Sequence, residues 1–236
     1  MMNLLKMILC LVVTLMFVPV FAAEQSLNLG VVLNGTGWTG DNGSGNSDFT
    51  SDRGGQLGFS FSYRRDRFYT GLSVQGGEYR FDNNGPSQFT SSGEVATSDV
   101  RVKHSDFDLL AGYYFWERIS LFVDLKTVSS NWQNNDYDQS FSGLGFGVAG
   151  FYPINQDWTL YGSYGLAGGR VKEDGDELGD GGVSALVAGF NFALDRNNYL
   201  NFGLRSRHHR FDFDDGEEQE YSLNGLYFGY NHVFEL

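Results

Sequence analysis

The sequence predicts an all-β fold, a transmembrane antiparallel up-and-down β-barrel of ten strands, with eight strands as the alternative count. Apolar residues alternate with small or polar ones through ten stretches, and that is the period of a strand. The joints between stretches alternate between tight turns and longer polar loops. Past residue 22 no apolar run approaches the roughly 20 residues a spanning helix needs, so a helical membrane protein is excluded. In a barrel only every second residue meets lipid, which keeps mean hydropathy slightly negative although 16% of residues are aromatic.

The first stretch, 26–40, alternates until the Gly, Ser, Asn and Asp run of 41–54 ends it. Stretches 56–63 and 68–81 flank a short charged turn at 64–67 and lead into the polar loop 82–99. Stretches 100–115 and 119–132 are joined by 116–118, and 133–139 follows as a polar loop. Glycine and aromatic residues alternate through 140–152 and 158–172, with Pro153 opening the turn 153–157 between them. The acidic segment 173–181 precedes 183–194, the turn 195–198 leads to 199–213, and 214–219 leads to the closing stretch 221–236. Short turns on the periplasmic side and long loops outside are the asymmetry of outer-membrane barrels, and an even count returns both termini to the periplasm.

Lys6, an apolar run over 7–18 and the small residues Val20 and Ala22 predict a signal peptide, 1–22, cut between Ala22 and Ala23; residues 23–236 form the barrel. The apolar run is too short to anchor the chain across a bilayer. Cys10 lies within it, without the small residues that a lipoprotein signal places before its cysteine. The processed chain then has no cysteine, which removes disulfides and thiolate metal sites. A net charge of -13 argues against nucleic-acid binding.

The unbroken apolar row of each strand must face lipid. Phe107, Leu109, Ala111, Tyr113 and Phe115 therefore face out, and Asp106, Asp108, Leu110, Gly112 and Tyr114 face in. Leu200, Phe202 and Leu204 face out, while Asn201, Gly203, Arg205, Arg207 and His209 face in. Leu226, Phe228, Tyr230, Phe234 and Leu236 face out in the last strand. Tyr63, Phe68, Phe115, Tyr152, Trp158, Phe192 and Phe234 fall beside short turns or at the chain end, as an interfacial aromatic girdle would.

Through Leu109-Leu110-Ala111-Gly112-Tyr113-Tyr114-Phe115 and the closing Phe228-Gly229-Tyr230-Asn231-His232-Val233-Phe234-Glu235-Leu236, the chain resembles the small outer-membrane β-barrel superfamily. That group includes the outer membrane protein A, X and W and opacity-protein barrels. The resemblance implies an integral outer-membrane protein of a Gram-negative bacterium, inserted by the barrel-assembly machinery that recognises an alternating aromatic closing strand. Leu236 stands where the terminal Phe is usual.

The inward charges Asp106, Asp108, Asp124, Lys126, Arg205, Arg207 and His209 form a candidate lumen network, since buried ionisable groups must be paired or wetted. A turn centred on Glu117 sets Asp108 opposite Lys126 and Leu110 opposite Asp124. Ten strands at about 4.8 Å spacing and about 40° tilt give a diameter near 20 Å. On that circle an Arg and an Asp are too short to meet, so local pairs bridged by water or by Gln75, Tyr79 and Tyr161 are expected. Such a network either seals a closed barrel or lines a narrow passive pore for small ions or solutes. Inward Gly143, Gly145, Gly147 and Gly165 leave one wall thin.

On the outward parity Arg101, Lys103, Arg170, Lys172, His208 and Arg210 sit where strands leave the bilayer, placed to bind lipopolysaccharide phosphates or to lie solvated above them. The acidic residues of 174–180 and 212–218 include Asp174-Gly175-Asp176, which matches the start of a calcium loop but lacks its full spacing and closing Glu. Neither metal nor cofactor is expected. Ten is also the strand count of the omptin proteases, which use paired aspartates and a His-Asp couple; His209 with Asp106 or Asp212 is the nearest candidate. The motifs and long strand extensions of that group are not evident, and His104-Ser105, adjacent on a strand, point to opposite sides. Loops 40–55 and 83–98 contain Phe49 and Phe89 as their only large apolar residues, thin support for a binding hot spot. The reading is a monomeric, non-enzymatic structural or surface barrel; a passive pore is the alternative and an omptin-like hydrolase the second alternative.

Overall fold

The computed structural model describes residues 25–43, 48–90, 93–133, 137–214 and 216–236. The expected signal peptide, 1–22, lies outside them. Ten long strands form one antiparallel sheet: β1 (Gln25–Asp41), β3 (Arg53–Arg65), β4 (Phe68–Asn84), β7 (Ser98–Trp116), β8 (Ile119–Trp132), β9 (Tyr137–Pro153), β10 (Trp158–Glu173), β11 (Asp176–Ala193), β12 (Asn198–Phe213) and β13 (Glu218–Glu235). Three short pieces accompany them: β2 (Phe49–Thr50), and a hairpin of β5 (Gln88–Thr90) with β6 (Gly93–Val95). Each long strand pairs with the next, and β13 returns to β1 from Ser26 opposite Glu235 to Asp41 opposite Glu220. The sheet is therefore a closed barrel of ten strands without a free edge.

One end carries the four tight turns and both ends of the described chain; the other carries the loops. At the turn end, Asp195 caps its hairpin by accepting from the Asn197 and Asn198 backbone N–H groups at 2.8 and 2.9 Å. These bonds and that of the Asn198 side chain hold its carboxyl below the usual carboxylate range.

The expected bounds of 119–132 coincide with β8, whereas several other strands run further toward the loop end. β11 begins at Asp176 rather than 183 because Asp174 and Gly175 adopt φ of 45° and 99°, the two left-handed residues of a type I′ hairpin turn. Asp174-Gly175-Asp176 is thus a turn, and the expected acidic loop is mostly strand. The expected absence of strand extensions is likewise overturned. β7 runs over Ser98–Trp116, but its outward apolar row occupies only 107–115, close to the roughly 9–11 residues that cross a bilayer.

That row belongs to an exposed belt around the turn-end half, including Leu33, Phe59, Leu121, Phe146, Leu186, Leu204 and Phe228. Toward the loop end the outward positions change to small or polar residues such as Gly35, Ser105, Ser142, Ser206 and Asn224. The inside shows the opposite gradient. Above the belt it is a packed core of Trp38, Tyr79, Phe81, Val102, Trp132, Phe141, Phe211 and Tyr221. Within the belt glycines, Ser and Asn share the lining with Tyr69, Leu110, Tyr114 and Phe122, and Ser60 is exposed although it points inward, so water reaches the lumen there.

Val148→Arg in the middle of the belt should cost about 2–4 kcal/mol, and Ser142→Arg beyond its edge about 0–1 kcal/mol. Urea titration of the protein folded into lipid vesicles measures the difference; equal costs would place the bilayer elsewhere.

Candidate functional site: the charged chamber and its aromatic roof

The inward parity of β7, β8 and β12 brings Asp106, Asp108, Lys126, Arg205, Arg207 and His209 toward one chamber at the upper edge of the belt. Asp108 is registered with Lys126 and Leu110 with Asp124, as the turn around Glu117 predicts. Lys126 Nζ bonds Asp108 directly, and Ser73 Oγ donates to the same carboxylate at 3.4 Å. Arg207 Nη1 bonds Asp106 Oδ2 directly, and its Nη2 lies 3.9 Å from Asp108 Oδ2.

The direct Arg207–Asp106 contact corrects the expectation that opposite walls cannot meet. β7 and β12 lie five strands apart around the sheet, so this pair spans the lumen. A circular section of about 20 Å would keep them apart. The two walls therefore approach more closely than that where this pair forms.

Around Asp106 the chamber is dry. Gln56 Nε2 donates to Asp106 Oδ2 at 3.3 Å, and His104 Nε2 lies 3.5 Å from the same oxygen. His104 Nδ1 meets Ser130 Oγ at 3.0 Å, and the imidazole packs edge-on against Trp38 at 5.1 Å. His209 is stacked on Tyr221 at 4.4 Å, and neither ring nitrogen has a hydrogen-bond partner. It packs with the core instead of joining the ion pairs. Asp124 also stays outside those pairs: its Oδ1 lies against Gly145, where a Cβ would come within 2.0 Å of it. Gln75 acts as the expected neutral bridge, accepting from Arg205 and from Asn34 Nδ2 at 3.0 Å, and Tyr161 meets Tyr227 through their hydroxyls.

The segment after β4 folds into the loop end and roofs the chamber. Phe89 is buried and stacks on Phe213 at 4.2 Å. Its N–H donates to Tyr137 Oη at 2.9 Å, and that hydroxyl donates back to its carbonyl at 2.7 Å. Trp132 Nε1 donates to the Pro86 carbonyl at 3.0 Å, and Ser87 N–H donates to Asn42 Oδ1 at 2.8 Å. Phe49 is buried too, 5.9 Å from Phe81. The two loop aromatics are therefore parts of the core and are not presented to a surface partner.

Outside, the six expected lipopolysaccharide cations differ in their neighbours. Arg170 pairs with Glu177 and Asp180, both at 3.0 Å, and Arg210 pairs with Asp212, Glu218 and Glu220. His208 meets Ser222 at 3.1 Å. Arg101 lies 3.9 Å from Glu78, while Lys103 and Lys172 make no ion pair among the described residues. Arg53, Arg80 and Arg101 stand directly opposite one another across β3, β4 and β7.

Charge alone does not single out His104, Ser130, Asn34, Trp38 and Tyr221 in the sequence. All five follow the inward parity of strands the alternation identifies, so their direction was legible and their convergence was not.

No family model matches the chain, and no curated protein is similar to it in sequence. Solved structures are similar to it. The outer membrane protease OmpT of Escherichia coli matches at TM-score 0.58 and 9% identity, covering 91% of this chain and 99% of that one. The β domain of the Bordetella autotransporter BrkA gives 0.43 and 14%, covering 91% and 100%. An outer membrane channel of Pseudomonas putida F1 gives 0.43 and 12%, covering 91% and 97%. The chain has the fold of the small outer-membrane β-barrels.

Removing one member of the spanning pair strands the other in a dry site. Asp106→Asn should lose about 3–5 kcal/mol, whereas the double variant Asp106→Leu with Arg207→Met should recover most of it. Urea midpoints of the unaltered protein, Asp106→Leu, Arg207→Met and the double variant, with Asp106→Asn beside them, decide the matter; additive losses would mean the two residues act independently.

Proposed function

We propose that this protein is a monomeric, non-enzymatic barrel of the outer membrane, with periplasmic termini and a lumen closed to through-flow, serving as a structural or surface protein. One observation carries the reading: the interior above the belt is filled by aromatic side chains and by the inserted segment around Phe89, where a pore would need water. The ion pairs below this roof neutralise each other and join opposite walls. The segment that enters the barrel is tied by backbone and side-chain bonds, which makes it a fixed roof.

Lipopolysaccharide is the partner best matched by the outer surface. Like charges directly opposite on a sheet repel, and an anion set between them relieves this. Arg53, Arg80 and Arg101 form such a row at the height where phosphates would lie, with Lys103 beside it; Asp82 and Glu78 offset part of its charge, while Arg170 and Arg210 are each met by two or more carboxylates. Lys172 and His208 complete the ring of cations at this height.

A second reading is an outer-membrane hydrolase, favoured by the Ser130–His104–Asp106 chain of contacts, the residue types of a nucleophile, base and orienting acid. Against it, all three side chains are buried beneath Trp38 and Tyr221, and Asp106 already neutralises Arg207. No substrate can approach Ser130 without the roof unfolding.

Planar-bilayer recordings of the refolded protein test the main reading, with silence the expected result. Discrete steps whose cation preference falls in Asp106→Asn and Asp108→Asn proteins would make it a small porin. Labelling of Ser130 by a fluorophosphonate would favour the hydrolase.

A further inference from the structure

Pairing off the interior charges leaves two groups without a direct ion pair among the described residues, Asp124 near the Lys126 side and Arg205. Asp106 and Asp108 are matched by Arg207 and Lys126, while Arg205, on the next inward position of β12, makes no ion pair among the described residues. Its Nη1 donates only to neutral oxygens, Gln75 Oε1 and Asn34 Oδ1, the latter at 3.3 Å. The guanidinium carbon lies 5.4 Å from the centre of the Tyr227 ring. Its hydrogen bonds among the described residues all leave from Nη1, and the side chain borders a cavity of about 180 Å³ below the chamber.

Asn28, Ser60, Tyr161, Asn201, Tyr227 and Asn231 line this cavity with Arg205. It is blind toward the loop end, where the ion pairs and the aromatic core lie, and water reaches it at Ser60. The Oδ1 atoms of Asn28 and Asn201 are buried without a hydrogen-bond partner. Glycines make room for the amides: a Cβ on Gly229 would come within 2.2 Å of Asn201 Oδ1, and one on Gly30 within 2.1 Å of Asn231 Oδ1. A guanidinium without a carboxylate partner, the carboxamide side chains of Asn28, Asn201 and Asn231 and a hydroxyl therefore border one wetted space. An apolar cavity of roughly 150 Å³ admits the six carbons of benzene, so this space takes a ring of that size while the substituents of a larger ligand extend toward the opening.

We infer that this cavity is a binding site for a small hydroxylated carboxylate of the sugar-acid class, entering from the turn end. The ligand carboxylate accepts from the free edge of Arg205, the planar fork that suits it. Ligand hydroxyls accept from the Ser60 hydroxyl and from the amide N–H groups of Asn28, Asn201 and Asn231. The Tyr227 ring offers an apolar face to the C–H side of a sugar. Binding involves no covalent step. The site rests on the lumen being closed above it.

Calorimetric titration of the folded, processed chain in detergent with D-glucuronate tests the site. Saturable binding is expected, with D-glucose at least tenfold weaker because it lacks the carboxylate. Arg205→Gln should weaken glucuronate at least tenfold, and Asn201→Ala severalfold, while glucose is affected only by the second. If Arg205→Gln does not fold, Arg205→Lys replaces it, keeping the charge and losing the fork, and a clear loss of glucuronate affinity is again expected. Absence of saturable binding to the unaltered protein overturns the proposal, as does an affinity unchanged in the Arg205 variant. A conducting lumen would show as steps in bilayer recordings with or without glucuronate, so failure of closure and failure of binding are separable.

Discussion

Every backbone N–H and C=O within a bilayer must find a partner in the protein, and this chain meets that constraint by closing β13 onto β1. The rest of the architecture depends on that closure. It fixes which parity of each strand looks inward, and so sends charged and aromatic side chains from sequence-distant strands into one interior. It also sets the perimeter within which opposite walls face each other. Arg207 and Asp106 meet across that interior and tie the two walls together. Breaking such a pair costs far more than a surface bridge because each charge is withdrawn from water.

Two solvents meet the protein at different heights, and the side-chain gradient reverses between them. Beside lipid the exterior is apolar and the interior mixes glycines and polar side chains with a few aromatic ones. Above it the exterior carries charge and the interior is a core of the kind found in soluble proteins, with Trp38, Tyr79, Phe211 and Tyr221 at its centre. The charged chamber sits at the crossing. The long strand ends therefore do structural work: they extend the barrel enough to bury an aromatic core and to receive the segment around Phe89. A barrel cut off at the belt would have its ion pairs exposed to water from both sides.

Closure from above also gives the Arg205 cavity its character. A cation in a through-channel is one element of a field, whereas one at the head of a blind, amide-lined recess is a ligand-sized site. Its neutral partners, Asn34 and Gln75, orient the guanidinium without cancelling its charge.

Much of this was legible in the alternation alone. The strand over 119–132, the register of Asp108 with Lys126, the outward row 107–115 and the inward direction of Arg205 and Arg207 follow from a period of two and a short turn, which are local properties. Local signals misled where a polar segment had a structural use. Asp174-Gly175 reads as acidic loop or cation ligand until its left-handed φ values reveal a hairpin turn, and Phe49 and Phe89 read as loop residues until the core claims them. The sequence by itself determined the barrel, its strand count and the face of each side chain, because lipid enforces alternation residue by residue. Only the tertiary structure decided which inward charges meet, which stay unpaired and what roofs them, because those depend on how closely opposite walls approach and on the path of one loop.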